Sequence, residues 1–240
     1  MANKIKVDNA VLKRLAQKEK RRIKGSNTKR RYFLIVCEGT KTEPNYFESL
    51  KKELPRGILE KIDIEGLGKN TLSIIEEAIK LREQAYKERN WIYDEVWAVF
   101  DKDSFPDRNF NNAINRGESL KQKIDCAWTN EAFELWYLLH FQYVDTGMSR
   151  DNYKPFIERE LTQKMGKSYL YQKNSVDMYR ILQEHGNEVQ AIRWAESLEK
   201  LFHDKEFATH NPCTKVHKLV AKLNELKQKN KKYIVEHISL

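Results

Sequence analysis

The chain has 240 residues, of which 40% are hydrophobic and 33% are charged, and its formal net charge is +9. Such a chain can bury a sizeable core, in one domain or in one domain with an added lobe. Its longest apolar runs are too short to span a bilayer, and the start "MANKIKVDNA" lacks the apolar segment of a signal peptide. The three cysteines are scattered and odd in number. We therefore expect a cytoplasmic protein without disulfides or membrane contact.

The positive charge is concentrated in residues 1–30, a predicted basic N-terminal tail. This segment holds 11 Lys or Arg against Asp8 and Glu19, and the rest of the chain holds 33 basic and 33 acidic residues. A basic tail can bind nucleic acid or an acidic partner, or it can simply keep the chain in solution, and the sequence leaves both open. The run "GSNTK" at 25–29 predicts a hinge between the tail and the folded body.

Strand and helix patterns alternate four times within residues 31–145. The predicted strands are "RYFLIVCEG", "LEKIDIEG", "DEVWAVFD" and "IDCAWT". The predicted helices are "PNYFESLKKEL", "NTLSIIEEAIKLREQAYKERN", a less distinct one in the stretch to about Lys123, and "EAFELWYLLHF". This alternation predicts an α/β core with a parallel sheet that is flanked by helices.

Residues 146–240 are predicted to be mainly helical and to pack on that core. The clearest helical patterns are "EVQAIRWAESLEKLF" and "CTKVHKLVAKLNELKQ". Beyond Asp145 the only candidate strand is "KKYIVEHISL" at the end of the sequence.

Carboxylates follow two of the predicted strands. Glu38 ends the first strand in "VCEGTKTE", and Asp101 and Asp103 end the third in "VFDKDSF". Functional groups gather at the carboxyl ends of parallel strands, so these acids converge if the two strands are neighbours. Clustered carboxylates repel one another unless a cation lies among them, and hard oxygen ligands suit Mg²⁺ or Mn²⁺. The pattern favours a metal site, although such acids can also be ordinary turn residues. Lys41, at the same edge, is a candidate phosphate contact.

Two polar residues interrupt the apolar segment "AFELWYLLHF", namely Glu134 and His140. A buried carboxylate needs a partner. Glu134 therefore either has a functional role, near the metal or orienting a lysine or water, or pairs with an arginine inside the core, and the residues alone do not decide between these readings. His140 is expected to be a core histidine.

Two further segments partly resemble known motifs. His210, Cys213 and His217 in "HNPCTKVH" loosely resemble a zinc spacing, but no fourth ligand is near. The segment "EGLGKNT" lacks the glycine and lysine spacing of a phosphate-binding P-loop. We therefore expect neither zinc nor a nucleotide-binding loop in this chain.

Four segments together resemble the RloB-like family over residues 31–223: "FLIVCEGTKTEPNYF", "VWAVFDKD", "TNEAFELWYLLHF" and "NPCTKVHKLV". That family is regarded as having a Toprim-type fold, with a glutamate after the first strand and a D-x-D after a later one. Here these residues are Glu38, Asp101 and Asp103. The resemblance implies Mg²⁺-dependent chemistry on phosphodiesters. It also implies a role in bacterial phage defence by abortive infection, often beside an ATPase gene.

The leading hypothesis is therefore a metal-dependent nuclease that cuts DNA, tRNA or another RNA as a defence effector. Its catalytic residues would be Glu38, Asp101, Asp103 and Glu134, with Mg²⁺ or Mn²⁺ as cofactor. A co-encoded ATPase would control it by docking on residues 151–230, and self-association stays open. The alternative is a non-catalytic module that binds nucleic acid or the ATPase on a Toprim-like frame. A primase-like or topoisomerase-like enzyme has less support, because the chain has neither a zinc ribbon nor a tyrosine-bearing breakage domain.

Overall fold

The computed structural model describes residues 31–54, 59–66 and 71–238, so the predicted tail and hinge lie outside the described residues. The strands are β1 (Arg31–Cys37), β2 (Leu59–Gly66), β3 (Glu95–Asp101), β4 (Asp125–Asn130) and β5 (Cys213–Thr214). The helices are α1 (Thr42–Lys52), α2 (Thr71–Arg89), α3 (Asp107–Ser119), α4 (Glu134–Leu138), α5 (Arg150–Met165), α6 (Met178–His185), α7 (Glu188–Glu199) and α8 (Val216–Ile238). A 3₁₀ turn spans Phe207–Thr209.

The five strands form one sheet in the order β2-β1-β3-β4-β5. The first four strands are parallel, and the short β5 pairs antiparallel with β4. From β1 the chain adds β2 on one side of the sheet, and it then adds β3 and β4 in turn on the other side. The direction therefore reverses between β1 and β3, which is where open α/β sheets form a crevice at the carboxyl ends of their strands. The predicted α/β class with a mostly parallel, helix-flanked sheet is confirmed, and it is consistent with a Toprim-like frame.

The central strands are apolar on both faces because helices cover both faces of the sheet. Successive side chains of a strand point to opposite sides. In β1, Phe33, Ile35 and Cys37 pack into a cluster with α1, α4 and the C-terminal helices. Leu34 and Val36 face the other cluster, which includes α2 and α3. The strand sequence "FLIVC" thus contributes side chains to two hydrophobic clusters, one on each face of the sheet, and has no exposed face.

The indistinct third helix of the sequence is present as α3. Its buried residues recur at helical spacing: Phe110, Ala113, Ile114 and Gly117. The glycine allows α3 to approach the sheet, because a Cβ at Gly117 would lie 2.7 Å from the carbonyl oxygen of Ile124. This close approach explains why a residue that weakens a helix occurs there.

The structure differs from the sequence-based expectation in three places. The helix predicted for "EAFELWYLLHF" is shortened to α4, and turns follow it. The two-residue strand β5 was not anticipated, because two residues carry no periodicity. The candidate strand at "KKYIVEHISL" is wrong: α8 continues without a break to Ile238. Its start buries Leu219, Val220, Leu223 and Leu226 at helical spacing, so the segment extends an existing helix rather than starting a new strand.

The helices α5 to α8 pack on the α1 side of the sheet, where their apolar residues join those of β1 and α4 in one cluster. Cys37, Cys126 and Cys213 are all free thiols. None of the helices in the described residues combines the length and the apolar character that a membrane span needs.

Candidate functional site

Glu38 and Asp101 meet at the carboxyl ends of β1 and β3, which are neighbours in the sheet. The Glu38 amide donates to the carbonyl oxygen of Val99 at 2.8 Å, so β1 stays in register one residue past its end. The Asp101 amide in turn donates to Oε2 of Glu38 at 3.2 Å. Strands β1 and β3 are therefore neighbours, as the predicted clustering of the acids requires, and both acids lie at the sheet crevice.

Only one of the two oxygen atoms of the Asp101 carboxylate has a hydrogen-bond partner among the described residues. Its Oδ2 accepts a hydrogen bond from the Phe133 amide at 3.0 Å. Its Oδ1 is buried and has no hydrogen-bond partner among the residues that the structure describes. Burial, followed by the charges of Glu43 and Glu134, raises the pKa of Asp101 well above its usual value. The ionised form is thus costly unless a positive group reaches Oδ1.

Glu134 lies at the start of α4 and is 7% exposed. Its Oε1 accepts a hydrogen bond from the hydroxyl of Tyr171 at 2.9 Å. Within the described part of the chain it forms no salt bridge with an arginine, and it lines the same pocket as Asp101. Of the two readings that the sequence left open, the geometry favours membership of the acidic site.

Glu43 is a further carboxylate of this site that the sequence reasoning missed. It lies in the first turn of α1 and is 6% exposed. Burial, and then the nearby charge of Glu134, raise its pKa despite opposing hydrogen bonds from backbone amides and the charge of Lys173. The carboxylate packs directly over Gly39, where any Cβ would overlap with it. An acid in the first turn of the helix that follows the strand-end Glu38 was the available signal.

Asp103 is placed differently from the expectation. Its carboxylate forms a salt bridge with the guanidinium of Arg150, the first residue of α5. Partial burial alone would raise the pKa of Asp103, but the hydrogen bond and charge of Arg150 outweigh it and lower the pKa. Asp103 lines the pocket but is already neutralised. Among the described residues, no group of three or more Asp, Glu, His or Cys side chains is gathered closely enough to hold a metal as it stands.

The acids surround a pocket of about 440 Å³ at the crevice. Its charged lining consists of five carboxylates and three cations: Glu38, Glu43, Asp101, Asp103, Glu134, Lys41, Arg150 and Lys173. Phe105 and Phe133 also line the pocket, and the Phe133 ring packs edge-to-face on the Tyr46 ring at 5.6 Å. Apolar surroundings lower the local dielectric and strengthen the charge interactions beside them.

The chemistry of the donors suits a divalent cation, although their spacing among the described residues does not form a metal cluster. Glu38, Glu43, Asp101 and Glu134 supply hard oxygen atoms, and the Oδ1 atom of Asp101 is a buried acceptor that has no hydrogen-bond partner among the described residues. The raised pKa values of Asp101 and Glu43 in one pocket are typical of a functional site. Asp103 could complete the predicted set of ligands only after Arg150 releases it.

A larger depression of about 1020 Å³ lies at the opposite, amino-terminal ends of β3 and β4. Glu199, among its charged side chains, is well paired: it contacts Lys215 at 2.6 Å, Lys218 at 2.7 Å and His217 at 3.4 Å. These contacts, that of His217 foremost, lower the pKa of Glu199. We therefore assign the chemistry to the smaller pocket, which lies at the carboxyl ends of the strands and contains the unpartnered oxygen of Asp101.

The remaining sequence candidates are structural. His140 is buried with Nδ1 at 2.9 Å from the Trp136 carbonyl oxygen, and burial lowers its pKa to about 4. It is therefore a neutral core histidine, as expected. His217 Nδ1 lies 2.9 Å from the Thr214 carbonyl oxygen, and burial raises the pKa of Cys213 to about 12. The predicted absence of a zinc site at these residues stays a prediction.

Comparisons with known proteins identify the class of the chain. A family model described as RloB-like protein matches residues 33–223. That range covers most of the chain, including every charged residue of the pocket, so the chain belongs to the RloB-like family. Neither the curated proteins nor the solved structures contain a match.

Proposed function

We propose that the chain is a divalent-metal-dependent nuclease that cleaves phosphodiester bonds in nucleic acid. The observation that supports this is that Glu38, Glu43, Asp101 and Glu134 line one pocket at the crevice of the sheet, in which Oδ1 of Asp101 is buried and has no hydrogen-bond partner among the described residues. Acids arranged in this way cost stability unless a cation joins them, so the arrangement is more useful for binding a metal than for holding the fold.

The strand-end acids and their neighbours have distinct roles in this proposal. Glu38, Asp101 and Glu134 would hold Mg²⁺ or Mn²⁺, and Asp103 would join them when Arg150 turns to substrate. A cation held there would supply polarisation of the scissile phosphate and a lower pKa for a bound water molecule. Glu38 acts as a ligand or accepts the proton of that water. Lys41 is exposed at the entrance, where its ammonium can reach a substrate phosphate.

The biological setting is proposed from the family resemblance. We expect a cytoplasmic effector of abortive phage defence, restrained by a co-encoded ATPase that docks on residues 151–230. Full toxicity and phage protection from this chain alone, with the neighbouring genes deleted, would count against that control.

One observation favours a second candidate, a non-catalytic binding module. The salt bridge between Asp103 and Arg150 neutralises one of the predicted ligands, and the acids of the described residues are not gathered into a preformed metal cluster. A frame that only binds nucleic acid would tolerate this arrangement. The two candidates differ in whether added metal produces cleavage.

The test is incubation of the purified chain with labelled single-stranded DNA, duplex DNA and tRNA in EDTA, Mg²⁺ or Mn²⁺. We expect strand cleavage only with metal. Glu134→Gln, which keeps an acceptor for Tyr171 but removes the charge, is expected to lose cleavage while remaining folded. Glu184→Gln, at an exposed residue of α6, is the matched control and should cleave like the parent. Binding of all three substrates without cleavage in any metal would favour the binding module.

A further inference from the structure

The pocket has a cationic side that no sequence motif indicated. Arg150 begins α5, and Lys173 lies in the segment between α5 and α6. Both line the pocket together with the strand-end acids, although both come from the C-terminal helical region. The charge of Lys173 lowers the pKa of Glu43 and of Asp103, so its ammonium lies near both carboxylates.

The segment that carries Lys173 is fastened to the core at several points. Thr42, Asn45 and Ser49 lie on one face of α1, and each donates a side-chain hydrogen bond to a carbonyl oxygen of this segment. The accepting carbonyls belong to Lys173 at 3.1 Å, Asn174 at 3.0 Å and Val176 at 2.9 Å. The Tyr171 hydroxyl adds the bond to Glu134. The backbone of Lys173 is therefore held at the rim of the pocket.

The side chain of Lys173, in contrast, is exposed and forms no salt bridge within the described part of the chain. A fixed backbone and an ammonium without a salt bridge are suited to binding an anion from solution. Arg150 engages Asp103 with one end of its guanidinium, and that group has five N–H donors in a planar fork that matches phosphate oxygens. Without these cations, the carboxylates of the pocket would repel a phosphodiester.

We propose that Arg150 and Lys173 bind the phosphate of a nucleic-acid substrate and hold it against the acidic side of the pocket. The nature of the substrate rests on the proposed function, but binding does not require cleavage. The two residues are binding residues in this scheme, and the three α1 side chains position one of them.

The test measures binding of a short single-stranded oligonucleotide in Ca²⁺, over a series of salt concentrations. Lys173→Gln is expected to weaken binding about tenfold, because a charge-assisted hydrogen bond contributes about 1.5 kcal/mol or more. It should also reduce the slope of log affinity against log salt by about 0.7, the value for one phosphate contact on a single strand. Lys167→Gln, at an exposed position of the same connection, is the matched control and should bind like the parent.

Arg150 needs a second variant, because its removal also leaves Asp103 unpaired. Arg150→Gln should weaken binding, and Arg150→Gln combined with Asp103→Asn should remain weak if the arginine contacts phosphate. Recovery of the double variant would mean that Arg150 only neutralises Asp103, and would overturn its assigned role. Arg159→Gln, exposed on the same helix, is its control.

The outcomes separate this inference from the nuclease proposal. Weaker binding by Lys173→Gln, in a parent that never cleaves, supports the phosphate site and contradicts the nuclease. A parent that cleaves, with Lys173→Gln matching its affinity and salt slope, contradicts the phosphate site alone. A parent that does not bind the oligonucleotide at all also overturns the inference. Residues 1–30 are the same in every variant, so their contribution cancels in the comparison.

Discussion

Replacement of Asp101 by asparagine should make the metal-free protein more stable, which is the opposite of what most buried substitutions do. The carboxylate is buried, has one unpartnered oxygen and lies near the charges of Glu43 and Glu134. Asparagine has nearly the same shape. Its carbonyl oxygen can still accept from the Phe133 amide, and its NH₂ group can donate toward the neighbouring acids.

The size of the effect follows from the unpartnered oxygen. A buried polar group without a partner costs about 1–3 kcal/mol, and more when it is charged. We therefore expect Asp101→Asn to raise the free energy of unfolding by about 1–3 kcal/mol in EDTA. For a chain of this length, each 1 kcal/mol moves the melting temperature by about 2–4 °C. Metal reverses the order, because a cation at 100 times its Kd stabilises the parent by about 2.7 kcal/mol.

The assay is thermal unfolding of both proteins in EDTA and in MgCl₂ or MnCl₂, at matched ionic strength. Asp103→Asn is an informative companion, since Asp103 is paired with Arg150 and should lose stability slightly in EDTA rather than gain it. Asp145→Asn, at an exposed aspartate, controls for the loss of one surface charge. A variant less stable than the parent in EDTA, or one that responds to metal as fully as the parent, would refute the electrostatic reasoning.

Three further predictions concern the same pocket and the tail. Asp101 and Glu43 should stabilise the metal-free protein less as the pH rises from about 4, because their raised pKa values mean that the folded state holds more protons at these two groups. The difference in unfolding free energy between Asp101→Asn and the parent should therefore change with pH in favour of the variant, and a difference that is independent of pH would contradict this. Gly39→Ala should displace the Glu43 carboxylate and reduce the rise in melting temperature that Mg²⁺ produces, and an unchanged rise would remove Glu43 from the site. Deletion of residues 1–30 should flatten the salt dependence of nonspecific nucleic-acid binding, and an unchanged slope would assign the tail to solubility or a protein partner.

The four parallel strands and two of the site acids could be predicted from the sequence because local patterns determine them. Apolar runs with acids at their ends identify β1 and β3, and parallel-sheet geometry then brings Glu38 and Asp101 together. Glu43 also had a local signal, as an acid in the first turn of the following helix. These inferences need only the period of a strand, the period of a helix and the rule for strand ends.

The cationic side could not be predicted, because it depends on how distant segments pack. Arg150 lies 47 positions after Asp103, and Lys173 is positioned by hydrogen bonds from α1 that cross more than 120 residues of sequence. No periodicity distinguishes either residue from other surface cations. The expected strand at the end of the sequence failed for a related reason: its short apolar alternation gave no sign that a helix beginning at Val216 would run through it.

The most direct test of the proposed chemistry is the single-turnover cleavage rate of Asp101→Asn beside the parent, on DNA and on RNA, in saturating Mn²⁺. Loss of the buried carboxylate removes the proposed oxygen ligand at the crevice, and the similar shape of asparagine should retain the fold. We expect the parent to cut at least one substrate and the variant to show no cleavage above the rate in EDTA. A variant that cuts as fast as the parent would contradict the assignment of Asp101 and, with it, the metal site at the ends of β1 and β3.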